Sequence, residues 1–173
     1  MSIDVVYGTF IIFICRGNKK ASFNIMKDKS NYYEDGIDVL YFDRLLKSRG
    51  YKNYKLIRKP RFYPYDVLLI TEEGRRYGIE LKLRNKDYDT IMLEKLKLDL
   101  TISKLKEDRL DGVFYYSFVK GTNIFYQYDL EKVFTRVSLG MFEMEQKWLP
   151  HTNSRTLEKK LVLKDVFYLP KRI

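Results

Sequence analysis

Residues 65–82, YDVLLITEEGRRYGIELK, decide the fold. Two strand-like runs, YDVLLI at 65–70 and YGIELKLR at 77–84, flank the polar segment Glu72-Glu73-Gly74. A three-residue hairpin loop commonly ends on a glycine in the left-handed conformation. With Gly74 in that place, Thr71 faces Arg75. The pairs then run outward until Asp66 faces Glu80. Directly opposed residues share a sheet face, with Cβ atoms about 4.5–5.5 Å apart. Lys82 lies two residues beyond Glu80 and shares that face. The opposite parity, Val67, Leu69, Ile79, Leu81 and Leu83, is wholly apolar and is expected to pack a core.

An Asp, a Glu and a Lys on one strand face run against strand preferences. Two adjacent carboxylates repel, more so in apolar surroundings. A divalent cation resolves that conflict, and carboxylate oxygens are what Mg2+ prefers. Such a metal can stabilise charge on a phosphate and activate a water, and a neighbouring lysine can hold that water. The competing reading is a solvated sheet face with a Glu–Lys ion pair.

Outward from the hairpin, DGIDVLYFDRLLKSR at 35–49 reads as a helix, with Ile37, Leu40, Tyr41 and Leu45 at helical spacing and Gly50 as its stop. YKLIR at 54–58 reads as a short strand. Residues 90–107 read as a second helix with two apolar stripes, one of Met92, Leu96 and Leu100, the other of Ile91, Leu98, Ile102 and Leu105. Two stripes place a helix between a sheet and another element. GVFYYSFV at 112–119 is a buried strand, and NIFYQYDL at 123–130 is another. Residues 4–14 and 21–26 read as an N-terminal hairpin. Residues 131–173 yield only irregular or strand-edge segments around Trp148-Leu149-Pro150 and Tyr168-Leu169-Pro170. The expectation is one mixed α/β domain, with a core at 33–120, an N-terminal β-hairpin at 1–30 and a C-terminal extension at 121–173.

The balance of 33 Lys+Arg against 23 Asp+Glu gives a net charge of +10. Such a chain attracts polyanions, of which nucleic acid is the commonest. No apolar run approaches the roughly 20 residues of a membrane helix. The N-terminal apolar run precedes its charges, which is not the order of a secretory signal. Cys15 is the only cysteine, so no internal disulfide forms. That fits a cytoplasmic setting. His151 is the sole histidine, which excludes a His-rich zinc site and leaves it as the only base for a Ser-His-Asp arrangement. No Walker A or GxGxxG pattern is present.

With Pro64-Tyr65-Asp66 followed by Glu80-Leu81-Lys82, the chain resembles the PD-(D/E)xK nuclease superfamily, the restriction-endonuclease-like fold. The proline stands one residue further from the Asp than in the family signature. The element order α-β-β-β-α-β also matches. The resemblance implies that Asp66, Glu80 and the Leu81 carbonyl bind one or two Mg2+ or Mn2+, and that Lys82 orients the attacking water. It implies an acid from the preceding helix, for which Asp38 is first choice and Glu34 second. Both could instead be favourable charges at a helix N-terminus. A polar residue of the second helix is expected near the site, with Glu94, Lys95 and Lys97 as candidates. Arg75, Arg76, Arg84, Lys86, Lys59 and Arg61 are candidate phosphate contacts, or ordinary solvated surface.

The resemblance implies an endonuclease acting on DNA, and the Lys-, Tyr- and Ile-rich composition is compatible with a phage or mobile-element source. Cutting both strands would call for a homodimer. The alternatives are an RNA endonuclease of the same fold and a catalytically silent nucleic-acid-binding or virion protein.

Overall fold

The computed structural model describes residues 36–152, 156 and 158–171. The N-terminal hairpin read from the sequence, with Glu34 and Cys15, lies outside them. A first helix, α1 (Ile37–Ser48), is followed by β1 (Tyr54–Arg58), β2 (Val67–Thr71) and β3 (Arg76–Arg84). Then come β4 (Thr90–Glu94), α2 (Lys95–Glu107), β5 (Gly112–Val119) and β6 (Phe125–Asp129). The chain closes with α3 (Leu130–Ser138), β7 (Met144–Thr152) and β8 (Lys159–Pro170).

Five strands form a mixed sheet in the order β1-β2-β3-β5-β6, with β3 and β5 parallel and the other pairs antiparallel. Strand β5 can lie parallel to β3 because α2 provides the crossover that such a pair requires. A second sheet has the order β4-β8-β7.

Strand alternation gives the large sheet two buried faces. Val67, Leu69, Ile79, Leu81, Tyr116 and Phe118 point to one side and pack on Phe42 and Leu46 of α1. Val113, Tyr115 and Tyr128 point to the other, toward Leu98 of α2, Leu130 and Val133 of α3, and Ile91, Leu93, Phe167 and Leu169 of the small sheet. The apolar parity read from the hairpin therefore packs against α1.

Helix α1 stops as its sequence dictates. Gly50 adopts φ 83°, its N–H bonds to the Lys47 carbonyl, and the Tyr51 N–H bonds back to Leu46.

Residues 90–107 are not one helix. Thr90–Glu94 is strand β4, paired antiparallel with β8, and the helix begins at Lys95. The two stripes belonged to two elements: Ile91 and Leu93 alternate into the core from a strand, while Leu98 is buried from the helix. The other stripe of the helix does not pack, since Leu96 and Leu100 are exposed. The strand read at 123–130 ends at Asp129. The Asp129 carboxylate accepts from the Glu131 and Lys132 N–H groups and so caps α3. The C-terminal third holds a helix and a long hairpin rather than irregular segments. Trp148-Leu149-Pro150 lies in β7, an edge of the small sheet among the described residues, while Tyr168-Leu169-Pro170 lies in β8, paired with β4.

Candidate active site

The β2–β3 hairpin has the register that its turn demands. Thr71 N–H bonds to the Arg75 carbonyl, Gly74 adopts φ 78°, and the ladder runs from Ile70 opposite Arg76 to Val67 opposite Ile79. Asp66 stands one step beyond. Its N–H bonds to the Ile79 carbonyl, its C=O accepts from the Lys59 N–H of the β1 side, and its Oδ2 accepts from the Leu81 N–H at 2.8 Å. The carboxylate thus takes the place of a backbone carbonyl at the end of the ladder. A strand residue points its N–H and C=O to the same side, so the Leu81 carbonyl faces the Asp66 side, just ahead of the first residue of β2.

Glu80 comes close enough to Asp66 there for the two carboxyl groups to act on each other. Two carboxylates held that close repel, and a proton on one of them relieves the repulsion. Burial pushes the Glu80 carboxyl up to about 8, the neighbouring Asp66 charge adds to the rise, and Lys97 opposes it. Lys97 reaches in from α2, with Nζ 2.9 Å from Glu80 Oε2. That oxygen is buried and has no aligned hydrogen-bond donor, so the contact is an ion pair by distance alone. Of the three second-helix candidates, Lys97 is the one at Glu80. Lys95 pairs with Asp99, and Glu94 pairs with Lys164 of β8.

Lys82 is exposed and follows Glu80 on the same face of β3. Its partner across the parallel pair is Ser117 of β5, whose buried hydroxyl has no hydrogen-bond partner among the described residues. Glu80 pairs likewise with Tyr115. Burial pushes the Tyr115 phenol up to about 12, and the Arg84 guanidinium, with Nη2 3.2 Å from the hydroxyl, opposes that. Sequence reasoning missed Tyr115 and Ser117, because their place beside the site follows only from the parallel register of β3 and β5.

The segment carrying Asp66 is anchored on α2. Tyr63 and Tyr65 hydroxyls both donate to the Asp108 carboxylate at 2.5–2.7 Å, and the Thr101 hydroxyl donates to the Pro64 carbonyl at 2.7 Å. Tyr65 is fully buried. Burial alone would raise the Asp108 carboxyl, but the two phenol donors with Lys59 and Lys104 hold it below its ordinary value.

Asp38 lies in the first turn of α1, where it favours the helix dipole. Its Oδ1 is 3.7 Å from Arg58 Nη2. Arg58 faces Val67 across β1 and β2, so this pair sits on the α1 side of the sheet, away from the face that meets α2. No cluster of three or more acidic, histidine or cysteine side chains able to hold a metal occurs among the described residues. His151 is exposed at the outer part of β7.

The basic candidates divide between the two ends of the hairpin. Arg75 and Arg76 follow the turn, roughly 13–16 Å of strand from Glu80 at about 3.3 Å per residue. Arg84 and Lys86 continue β3 past the site, with Lys86 Nζ 4.9 Å from the Tyr88 ring. Lys59 and Arg61 lie in the segment before Asp66. Lys59 is engaged there, with Nζ 4.6 Å from the Tyr63 ring centre and 4.0 Å from Asp108, while Arg61 stacks over the exposed Phe62 ring.

No protein-family profile and no curated protein matches the chain. Among solved structures it is similar to Hjc, a Holliday junction resolvase from Archaeoglobus fulgidus. The identity is 13%, the TM-score 0.45, and the match covers 78% of this chain and 84% of that one. The architecture stands on its own topology. A five-stranded mixed sheet carries helices on both faces, and the α-β-β-β-α-β order has β4 inserted before its second helix. That element order is the one expected from the resemblance of the hairpin sequence.

Proposed function

We propose that the chain is a divalent-metal-dependent nuclease acting on DNA. The supporting observation is the meeting of Asp66 and Glu80 at the end of the β2–β3 ladder, beside the Leu81 carbonyl. The donor set fits a hard cation: every candidate ligand is an oxygen, and the two carboxylates repel each other with Lys97 as the cation that offsets them. Asp66, Glu80 and the Leu81 carbonyl would hold Mg2+ or Mn2+, with water completing the coordination. When bound, such a cation polarises a phosphoryl oxygen and lowers the pKa of water.

The chain's own residues supply the rest. Lys82, free to solvent on the same face, orients the attacking water and offsets phosphate charge. Lys97 holds Glu80 in place and adds a second cation on the opposite wall of the site. Tyr63 and Tyr65, through Asp108, fix the segment that aims Asp66. Arg84, Lys86 and Arg61 extend the positive charge from the site along the substrate backbone.

The test is cleavage of linear duplex, branched and single-stranded DNA and of RNA, in Mg2+, Mn2+ or EDTA. Cleavage of a DNA substrate that needs the cation and falls by about 10²-fold or more in Lys82→Ala and Asp66→Ala is expected. Cleavage in EDTA, or full activity in both variants, refutes the assignment. Preference for RNA would refute the DNA reading alone. Binding without cleavage of any substrate would favour a silent nucleic-acid-binding protein.

A further inference from the structure

Strand β7 is an edge, paired only with β8 among the described residues. Its first five residues are Met144, Glu145, Gln146, Lys147 and Trp148. Read about Gln146, the segment is self-complementary: apolar, acid, amide, base, apolar. An antiparallel copy of the same strand, centred on the same glutamine, sets Glu145 opposite Lys147 in both directions. On the other face it sets Met144 opposite Trp148 twice. The ladder is bounded at one end by Pro150, which has no N–H to donate, and at the other by the turn after Gly140.

A second observation makes this register more than a sequence coincidence. Trp148 and Met144 are both well exposed, and the solvent-facing indole is the only tryptophan of the chain. Leu163, the partner of Trp148 on β8, and Leu161 beyond it are exposed on the same face. Where β7 begins, that face looks into a hollow of about 510 Å³ between α2 and α3, lined by Ile102, Phe134, Val137 and Met144. Opposed residues on paired strands lie about 4.5–5.5 Å apart at Cβ. A tryptophan placed opposite Met144 therefore arrives at the mouth of this hollow. The chain's own Trp148 cannot, because it lies four residues further along an extended strand.

We propose that two copies of this chain pair antiparallel through β7, centred on Gln146, each delivering Trp148 against Met144 and the α2–α3 hollow of the other. The contact is isologous, as a two-fold dimer requires, and it closes the open edge. It joins the two small sheets into one of six strands. Residues 95, 99, 102 and 103 of α2 line the hollow, on the side of the helix away from Lys97, so both candidate active sites stay open. This pairing is independent of the proposed nuclease activity.

Sedimentation of the full chain tests it, with Trp148 fluorescence as the local probe. The expected result is a species of about twice the 20.9 kDa chain mass, with emission moving to shorter wavelength as concentration rises through the dimer range. Glu145→Lys and Lys147→Glu each oppose like charges and should weaken the dimer at least about tenfold, while the double exchange restores it. Trp148→Ala alters a side chain exposed in the single chain and should weaken the dimer by at least about tenfold without unfolding it. A monomer at all concentrations overturns the proposal. So does a dimer indifferent to the single exchanges, or a double exchange that stays monomeric. A monomer whose indole emission is already short-wavelength and unaffected by dilution would mean that the chain's own residues cover Trp148, which also overturns it.

Discussion

Glu80 stands on a strand between two apolar residues, and its carboxyl is pushed up to about 8, chiefly by burial and then by Asp66. Its ordinary value is 4.5. Between those values the folded, metal-free chain holds a proton that the unfolded chain has released. Stability from this group is therefore full below about pH 4.5 and is lost as pH rises through about 8, at up to about 1.4 kcal/mol per pH unit. Thermal melts in EDTA should show stability falling from pH 5 to pH 8. Glu80→Gln, which stays neutral, should flatten that slope; an unchanged slope would mean that Glu80 is not the group responsible. Mg2+ at pH 8 should raise the melting temperature of the wild type and not of Asp66→Ala, since only a ligand that binds the folded state stabilises it. At this scale Asp66, Glu80 and Lys82 were legible from a turn residue and a parity. Lys97 was legible only as one of three candidates, because a helix face cannot be oriented until its neighbours are known.

The hairpin was the most legible element, since one glycine fixes its register and the register fixes its faces. Strand β4 was not legible. It abuts α2 with no glycine or proline between them, so two residues of strand alternation fused with a helical period. Helix α3 carried a readable signal in Asp129 as cap and Leu130, Val133, Phe134 and Val137 as a stripe, but its start is masked by the strand-like run ahead of it. Packing between elements gives two further tests. At Gly78 of β3 a Cβ would lie 3.0 Å from Leu110 Cδ1 and 3.1 Å from both Tyr65 Cδ1 and Val113 Cγ1. Gly78→Ala should cost about 1–3 kcal/mol in urea denaturation and disturb the Tyr65 segment. Asp108→Asn leaves the volume but removes the charge that two phenols share, and should cost about 1–3 kcal/mol. It should also lower the proposed nuclease activity, because Asp66 loses its brace. Unaltered stability in Asp108→Asn would show that the tyrosine anchors are dispensable.

Across the whole molecule the charge of +10 draws nucleic acid without choosing a site. The fold places Arg61, Arg84 and Lys86 at the candidate-site end of the hairpin and Arg75 and Arg76 at the other, which singles out the first group for the proposed substrate track. The logarithm of DNA affinity should fall linearly with log salt, and each phosphate contact removed should reduce the slope by about 0.9 on duplex DNA. Arg84→Ala and Lys86→Ala should reduce it, and Arg75→Ala should leave it unchanged; the reverse pattern would put the substrate track on the turn. The C-terminal hairpin was illegible in the sequence because an arm whose face is left open lacks the clean in-out alternation of a packed strand.

Cation binding itself tests the central claim most directly. Titration calorimetry with Mn2+ on the wild type, Asp66→Asn and Glu80→Gln asks whether the two carboxylates at the end of the hairpin form one site. Binding by the wild type that is lost or weakened by at least about tenfold in each variant is the expected result. Wild-type affinity retained in both variants would contradict it.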